Sequence, residues 1–176
     1  MTYQIKDIIE YNGNCYFLDG TEYILDSYLD DKGFTSDDFT QTDGVIIFNT
    51  ACRRGYVAIW KIENNKLFLC DIRDSSLLTS FRSIVFEDLK LEKLIHASWY
   101  TGSLTLIGLY DSTGQVINLT PPDISNVRPI NHNADIELLY ETDEEDNSVF
   151  CASYSASVDK GCISELSELN KSVFVI

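Results

Sequence analysis

Two histidines, five cysteines and 28 Asp plus Glu are the side chains of this 176-residue chain with the chemistry to act on a ligand or a bond. His96 sits in the apolar run Leu94 to Tyr100, where a hydrogen-bonded core or strand-edge histidine is the expectation; His132, between two asparagines and near Pro129, reads as a loop residue. Their spacing makes no metal-ligand motif. Cys52 precedes Arg53 and Arg54, two cations that favour a thiolate. A nucleophile also needs a positioned base, and adjacent side chains on a strand point to opposite faces, so Cys52 is expected to be a buried thiol flanked by solvent-facing arginines. The cysteines (Cys15, Cys52, Cys70, Cys151, Cys162) are odd in number and contain no C-x-x-C pair, which predicts reduced, mostly buried thiols and neither a disulfide framework nor a zinc knuckle. Gly102, Gly108 and Gly114 match no phosphate-binding pattern. No catalytic residue, metal or cofactor is therefore predicted.

Carboxylates are the remaining chemistry, and they fall into two groups. Asp135 to Asp146 is a strongly acidic run, ending in Asp143, Glu144, Glu145 and Asp146; Asp26, Asp30, Asp31, Asp37, Asp38 and Asp43 form the other group. Neither has the alternating ligands and central glycine of an EF-hand. Against 13 Lys plus Arg, the chain carries a formal charge of −15. A phosphate backbone would be repelled over most of such a surface, which excludes nucleic acid as a direct ligand. A solvated, solubilising face is one reading of each run. Two runs together also create a field that speeds encounter with a basic protein and discriminates against others. Asp30, Asp31, Asp37, Asp38, Asp143, Glu144, Glu145 and Asp146 are the expected contact residues.

The elements that must hold these residues are mainly strands. Short apolar or period-two runs recur at residues 3–9, 14–18, 45–50, 56–62, 67–72, 95–100, 103–110, 115–119, 136–141, 149–154 and 172–176. The clearest unit is a hairpin, Tyr56 to Ile62 and Leu67 to Ile72, around Asn64 and Asn65, residues that tolerate the positive φ of a two-residue turn. This turn predicts Ile62 across from Leu67, Trp60 across from Leu69, and Ile59 opposite Cys70. A second hairpin is expected from Leu104 to Leu119. Helices are expected at Thr21 to Leu29, ended by Gly33, at Ser75 to Phe81, and at Ile163 to Leu169. The fold class that follows is α+β, predominantly antiparallel β with a few short helices, in a single domain over residues 1–176.

The string N-T-A-C-R-R-G-Y-V-A-I-W from Asn49 to Trp60, then L-F-L-C-D-I from Leu67 to Ile72 and A-S-W-Y-T-G-S-L from Ala97 to Leu104, resembles a β-rich bacterial family. That family carries a T-A-C-W-R-G-Y, W-x-I, L-x-L, D-I hairpin and a W-Y-[ST]-G-x-L segment. The likeness covers roughly residues 45 to 110 and implies a shared fold unit, with immunity proteins of toxin systems as the associated class; it brings no catalytic residue to carry over. The chain departs from the pattern at Arg53, where Trp is usual, and at Thr105 to Ile107, where relatives have Arg-Ile-Pro. Arg54, matching the motif arginine, is expected to pair a buried carboxylate such as Asp71 or to support an anionic group of a ligand.

Three functional classes follow from these residues. The first is an immunity-type protein that binds a cognate, basic, nuclease-like toxin domain and covers its active or substrate-binding surface. The second is a small enzyme or ligand-binding β-barrel with Arg54, Trp60, His96 and Trp99 around a pocket. The third is an assembly subunit using an exposed β edge. The first ten residues carry Asp7 and Glu10 where a secretory signal needs an unbroken apolar core, and no apolar run approaches the length of a membrane span. A cytoplasmic protein with no membrane partner is expected, its oligomeric state left open.

Overall fold

The hairpin around Asn64 and Asn65 forms as its sequence dictates: strand β5 (Val57–Glu63) pairs antiparallel with β6 (Lys66–Arg73), with Ile62 opposite Leu67 and Trp60 opposite Leu69. Both turn residues have positive φ, 51° and 57°, the type I′ geometry whose twist suits a two-residue loop. Ile59 lies opposite Asp71, not Cys70, because a bulge between Ile59 and Trp60 shifts the register. The alternation on β6 changes with it: Leu67 and Leu69 are buried, Cys70 is half-buried, and Asp71 and Ile72 are both buried. The computed structural model describes residues 6–19, 24–42, 45–46, 52, 54–74, 80–81, 94–110, 148–164 and 167–175. His132, the run Asp143, Glu144, Glu145 and Asp146, and the strands expected at 115–119 and 136–141 lie outside them.

Strands β1 (Ile8–Tyr11) and β2 (Asn14–Asp19) form a second tight hairpin, with Asn12 and Gly13 at φ 52° and 78°. β1 also lies parallel to β5, Ile9 beside Trp60. β2 continues antiparallel to β8 (Gly102–Tyr110), and β8 to the long β9 (Ser148–Asp159). A turn at Lys160 and Gly161 then sends the chain into β10 (Cys162–Ile163), which pairs with both β9 and β6. That double pairing closes a ring of seven strands, in the order β10, β6, β5, β1, β2, β8, β9. Closure satisfies backbone groups that an open sheet would leave at its edges. β7 (Ile95–His96) adds to β6, β11 (Ser167–Val175) adds to β9, and a small separate hairpin joins β3 (Gln41–Thr42) to β4 (Val45–Ile46).

Among the described residues the protein is mostly strand with few short helices, as its patterning predicts. One helix expectation is corrected. Ile163 to Leu169 contains β10 and the start of β11, because Gly161 at φ 74° turns the chain back onto β9 and buries Ile163. The helix expected over 75–81 lies outside the described residues except for Ser80 and Phe81, of which Ser80 forms an isolated bridge with Arg73. Inward side chains fill the ring: Ile9, Trp60, Leu67, Leu69, Leu104 and Leu106 are completely buried. Alternate residues of each strand deliver them, which is the packing expected of a barrel this small. No helix among the described residues is long and apolar enough to cross a membrane.

Two short helices pack on this barrel. In α1 (Asp26–Asp31), Leu29 is buried, as is Leu25 just before it, and Tyr28 stacks on Trp99 with ring centres 4.0 Å apart. Gly33 ends it as expected, at φ 81°: its N–H donates to the Asp30 carbonyl and the Phe34 N–H to the Leu29 carbonyl, the paired bonds of a Schellman motif. Helix α2 (Asp37–Thr40) follows at once. Its start is tied by Asp38, whose carboxylate accepts from the Thr35 N–H at 2.7 Å and the Thr35 hydroxyl at 3.2 Å.

Candidate functional site

The site begins with a carboxylate that must be buried. Asp7 shares the inward phase of Ile9 on β1, so the strand period points it into the barrel, where it is 2% exposed. An unpaired carboxylate there would be costly. The parallel register of β1 against β5 supplies its donors. Asp7 Oδ1 accepts from the Ala58 N–H at 3.0 Å and from Arg54 Nη2 at 2.8 Å, while Oδ2 accepts from Trp60 Nε1 at 3.1 Å. Arg54 comes from the R-G-Y turn, where Gly55 at φ 77° lets the chain bend into β5 and its N–H bonds the Cys52 carbonyl. The buried carboxylate bound to the motif arginine is thus Asp7. Asp71, the carboxylate suggested by the motif, accepts from the Ile72 N–H, Arg73 Nε and the Ser80 hydroxyl.

From Asp7 the polar chain runs outward. The Arg54 guanidinium lies over the Tyr56 ring, 4.8 Å from its centre, and the Tyr56 hydroxyl donates to Asp26 at the start of α1. Arg54 is nearly buried, yet Asp7 holds it firmly in its charged form, overriding the desolvation that opposes charge. Burial, with the neighbouring Asp26 and Asp7 carboxylates, pushes the Tyr56 phenol far above its ordinary range. Tyr56 is therefore a fixed hydrogen-bond donor.

Above this network lies a cleft of ≈ 230 Å³ between the α1–α2 segment and the R-G-Y turn, lined by Asp26, Leu29, Asp30, Phe34, Thr35, Ser36, Phe39, Arg54 and Tyr56. Its apolar wall is aromatic: Phe39 meets Tyr56 edge-on at 5.1 Å and Phe34 at 6.3 Å between ring centres, and is backed by Phe81 at 5.3 Å. Its rim is acidic. A second concavity, ≈ 350 Å³, lies between the β1–β2 and β5–β6 turns and has mixed charge, Lys61 facing Glu10 and Glu63.

The structure sorts the sequence-predicted residues. Asp30, Asp31, Asp37 and Asp38 are all exposed on the α1–α2 segment, and Asp30 lines the cleft. Trp60 meets Arg54 through Asp7, and Trp99 approaches Trp60, 6.5 Å between ring centres, while donating its Nε1 hydrogen to the Ile24 carbonyl. His96 does not join them. It stands on β7 opposite Phe68, a half-buried residue out of phase with the inward Leu67 and Leu69, and its ring lies 5.5 Å from that of Phe68. Of the four residues suggested for a pocket, Arg54 lines the cleft, and Trp60, His96 and Trp99 are not among its described lining residues. The hydrogen bond expected of His96 is also not seen at Nε2, which has no partner among the described residues.

Cys52 is buried, and its Sγ donates to the Tyr56 carbonyl at 3.3 Å. Burial raises its thiol pKa more strongly than Arg54 lowers it, so the thiolate is disfavoured. Among the described residues no cluster of three or more His, Cys, Asp or Glu is placed to hold a metal ion. Asp7 and Tyr56 are the site residues that sequence reasoning missed. For Asp7 the available signal was a carboxylate in phase with Ile9; for Tyr56 it was the tyrosine of the R-G-Y string. Compared with models of protein families, with curated proteins and with solved structures, the chain matches none.

Proposed function

We propose that this chain is a single-domain, cytoplasmic immunity-type protein that binds a basic, nuclease-like toxin domain and blocks its working surface. The observation that carries the reading is the α1–α2 segment, which presents Asp30, Asp31, Asp37 and Asp38 to solvent. Asp30 and Asp31 occupy the last turn of α1, which contains no basic residue. Carboxylates there oppose the negative end of the helix and cost it stability. A docking role accounts for their position better than a role in folding. Closure of the barrel around packed side chains leaves its exterior as the working surface, and the charge of −15 steers a cationic macromolecule toward it.

The test is co-expression with the product of the adjacent gene, followed by co-purification and kinetics. A tight complex whose association slows when Asp30, Asp31 and Asp37 are converted to Lys supports the reading. Absence of a complex, or a complex indifferent to those reversals, removes it.

A further inference from the structure

We propose that the cleft between α1–α2 and the R-G-Y turn is a socket for one cationic side chain, arginine or lysine, of a protein partner. The inference rests on the proposed binding function and names the anchor of that same face. Size is the first argument: ≈ 230 Å³ lies below the roughly 300–1,000 Å³ of small-molecule sites and suits a single side chain.

Charge is the second. Among the described residues, Asp26 and Asp30 line the cleft, and Arg54, the cation there, has a buried counter-ion in Asp7 at 2.8 Å. These residues together carry a net negative charge, and an incoming anion would meet two carboxylates. The third argument is the wall itself. Phe34, Phe39 and Tyr56 line the cleft beside Asp26 and Asp30, so it combines aromatic surface for an aliphatic stem with acceptors for a charged head. Tyr56 donates to Asp26 and fixes that carboxylate, so one acceptor is in place before a ligand arrives. Asp30 supplies the second acceptor from the rim, and nothing in the α1 cap requires its side chain, since only its carbonyl receives the Gly33 N–H.

The experiment uses the intact, isotope-labelled chain. Backbone amide NMR spectra are followed during titration with N-acetyl-arginine methylamide and with its neutral isostere, N-acetyl-citrulline methylamide, at constant ionic strength. We expect the arginine probe alone to saturate, with shifts concentrated at residues 29–39 and 54–56. Asp30→Asn should weaken it by about fivefold, while Asp31→Asn, which removes the same charge one residue outside the cleft, should change it by less than about twofold. Equal binding of the citrulline probe, or equal loss from the two substitutions, overturns the socket. Arginine-probe binding with this pattern supports the socket even if no toxin partner exists. Conversely, a complex with the adjacent gene product that Asp30→Asn weakens no more than Asp31→Asn overturns the socket while leaving the proposed function standing.

Discussion

A single buried ion pair organises the site, and its energetics set the sharpest expectations at the level of residues. Asp7 has three donors around its carboxylate and Arg54 is nearly buried beside it, so removing either partner leaves a desolvated charge behind. Asp7→Ala and Arg54→Ala should each destabilise the fold by about 3–5 kcal/mol, and the double variant should lose clearly less than the sum. Urea denaturation of the four proteins measures this. Strictly additive losses would mean that the two residues do not act as a pair. The cysteines give a pH test. Burial and Glu10 raise the Cys15 thiol to about 11 from a reference of 9.0. The folded state then holds a proton that the unfolded state releases, so stability falls as pH rises from about 9 toward 11. Cys15→Ala should flatten that decline in denaturation midpoints. Among the four cysteines with described side chains, Cys162 is exposed whereas Cys15 and Cys52 are buried, and it should react first with a thiol reagent. Much of this was open to a reader of the sequence. Cys52 as an inert buried thiol follows from the lack of a base placed beside it in the sequence and from the opposite facing of adjacent strand residues. The partner of Arg54 does not, because a parallel strand pairing between residues some fifty positions apart brings Asp7 to it, and no local pattern encodes that pairing.

At the level of elements, turns and helix ends fix what the strands present. Gly161 closes the ring: it holds φ 74°, its N–H donates to the Tyr100 carbonyl at 2.9 Å, and a Cβ there would lie 2.7 Å from the Ala97 carbonyl oxygen and from His96 Nε2. Gly161→Ala should cost about 1–2 kcal/mol from backbone strain and more from the clash, lowering the melting temperature and loosening the β10 contacts with β6 and β9. Unchanged melting would show that β10 is not needed for closure. For α1 the expected sign is opposite. Asp30→Asn or Asp31→Asn relieves repulsion at the helix end and should raise stability by about 0.3–1 kcal/mol while weakening partner binding. Thermal melts read alongside binding would separate the two effects. The β5–β6 hairpin was legible because its Asn-Asn turn and period-two pattern agree. The bulge was not, and it moves Asp71 into the position predicted for Cys70. The helix expected at residues 163–169 failed because long-range pairing of β10 with β6 and β9 overrides a weak local preference.

For the whole molecule, a ring of seven strands around buried side chains, in a chain of formal charge −15, fits the proposed recognition by an outer surface. Net charge was readable from composition. Which carboxylates form a working face was not, because that depends on how α1 and α2 fold back over Trp99, Tyr56 and Phe81. The central claim is that this face docks a basic protein. Its most direct test is the association rate constant with the adjacent gene product, measured across ionic strength for the native chain and for a variant with Asp30, Asp31 and Asp37 changed to Asn; Asp38 is kept because it ties the start of α2. We expect the native rate to fall by about tenfold or more from low to physiological salt, and the variant to lose most of that dependence. A salt-independent rate identical in the two proteins, or no association at all, would contradict the account.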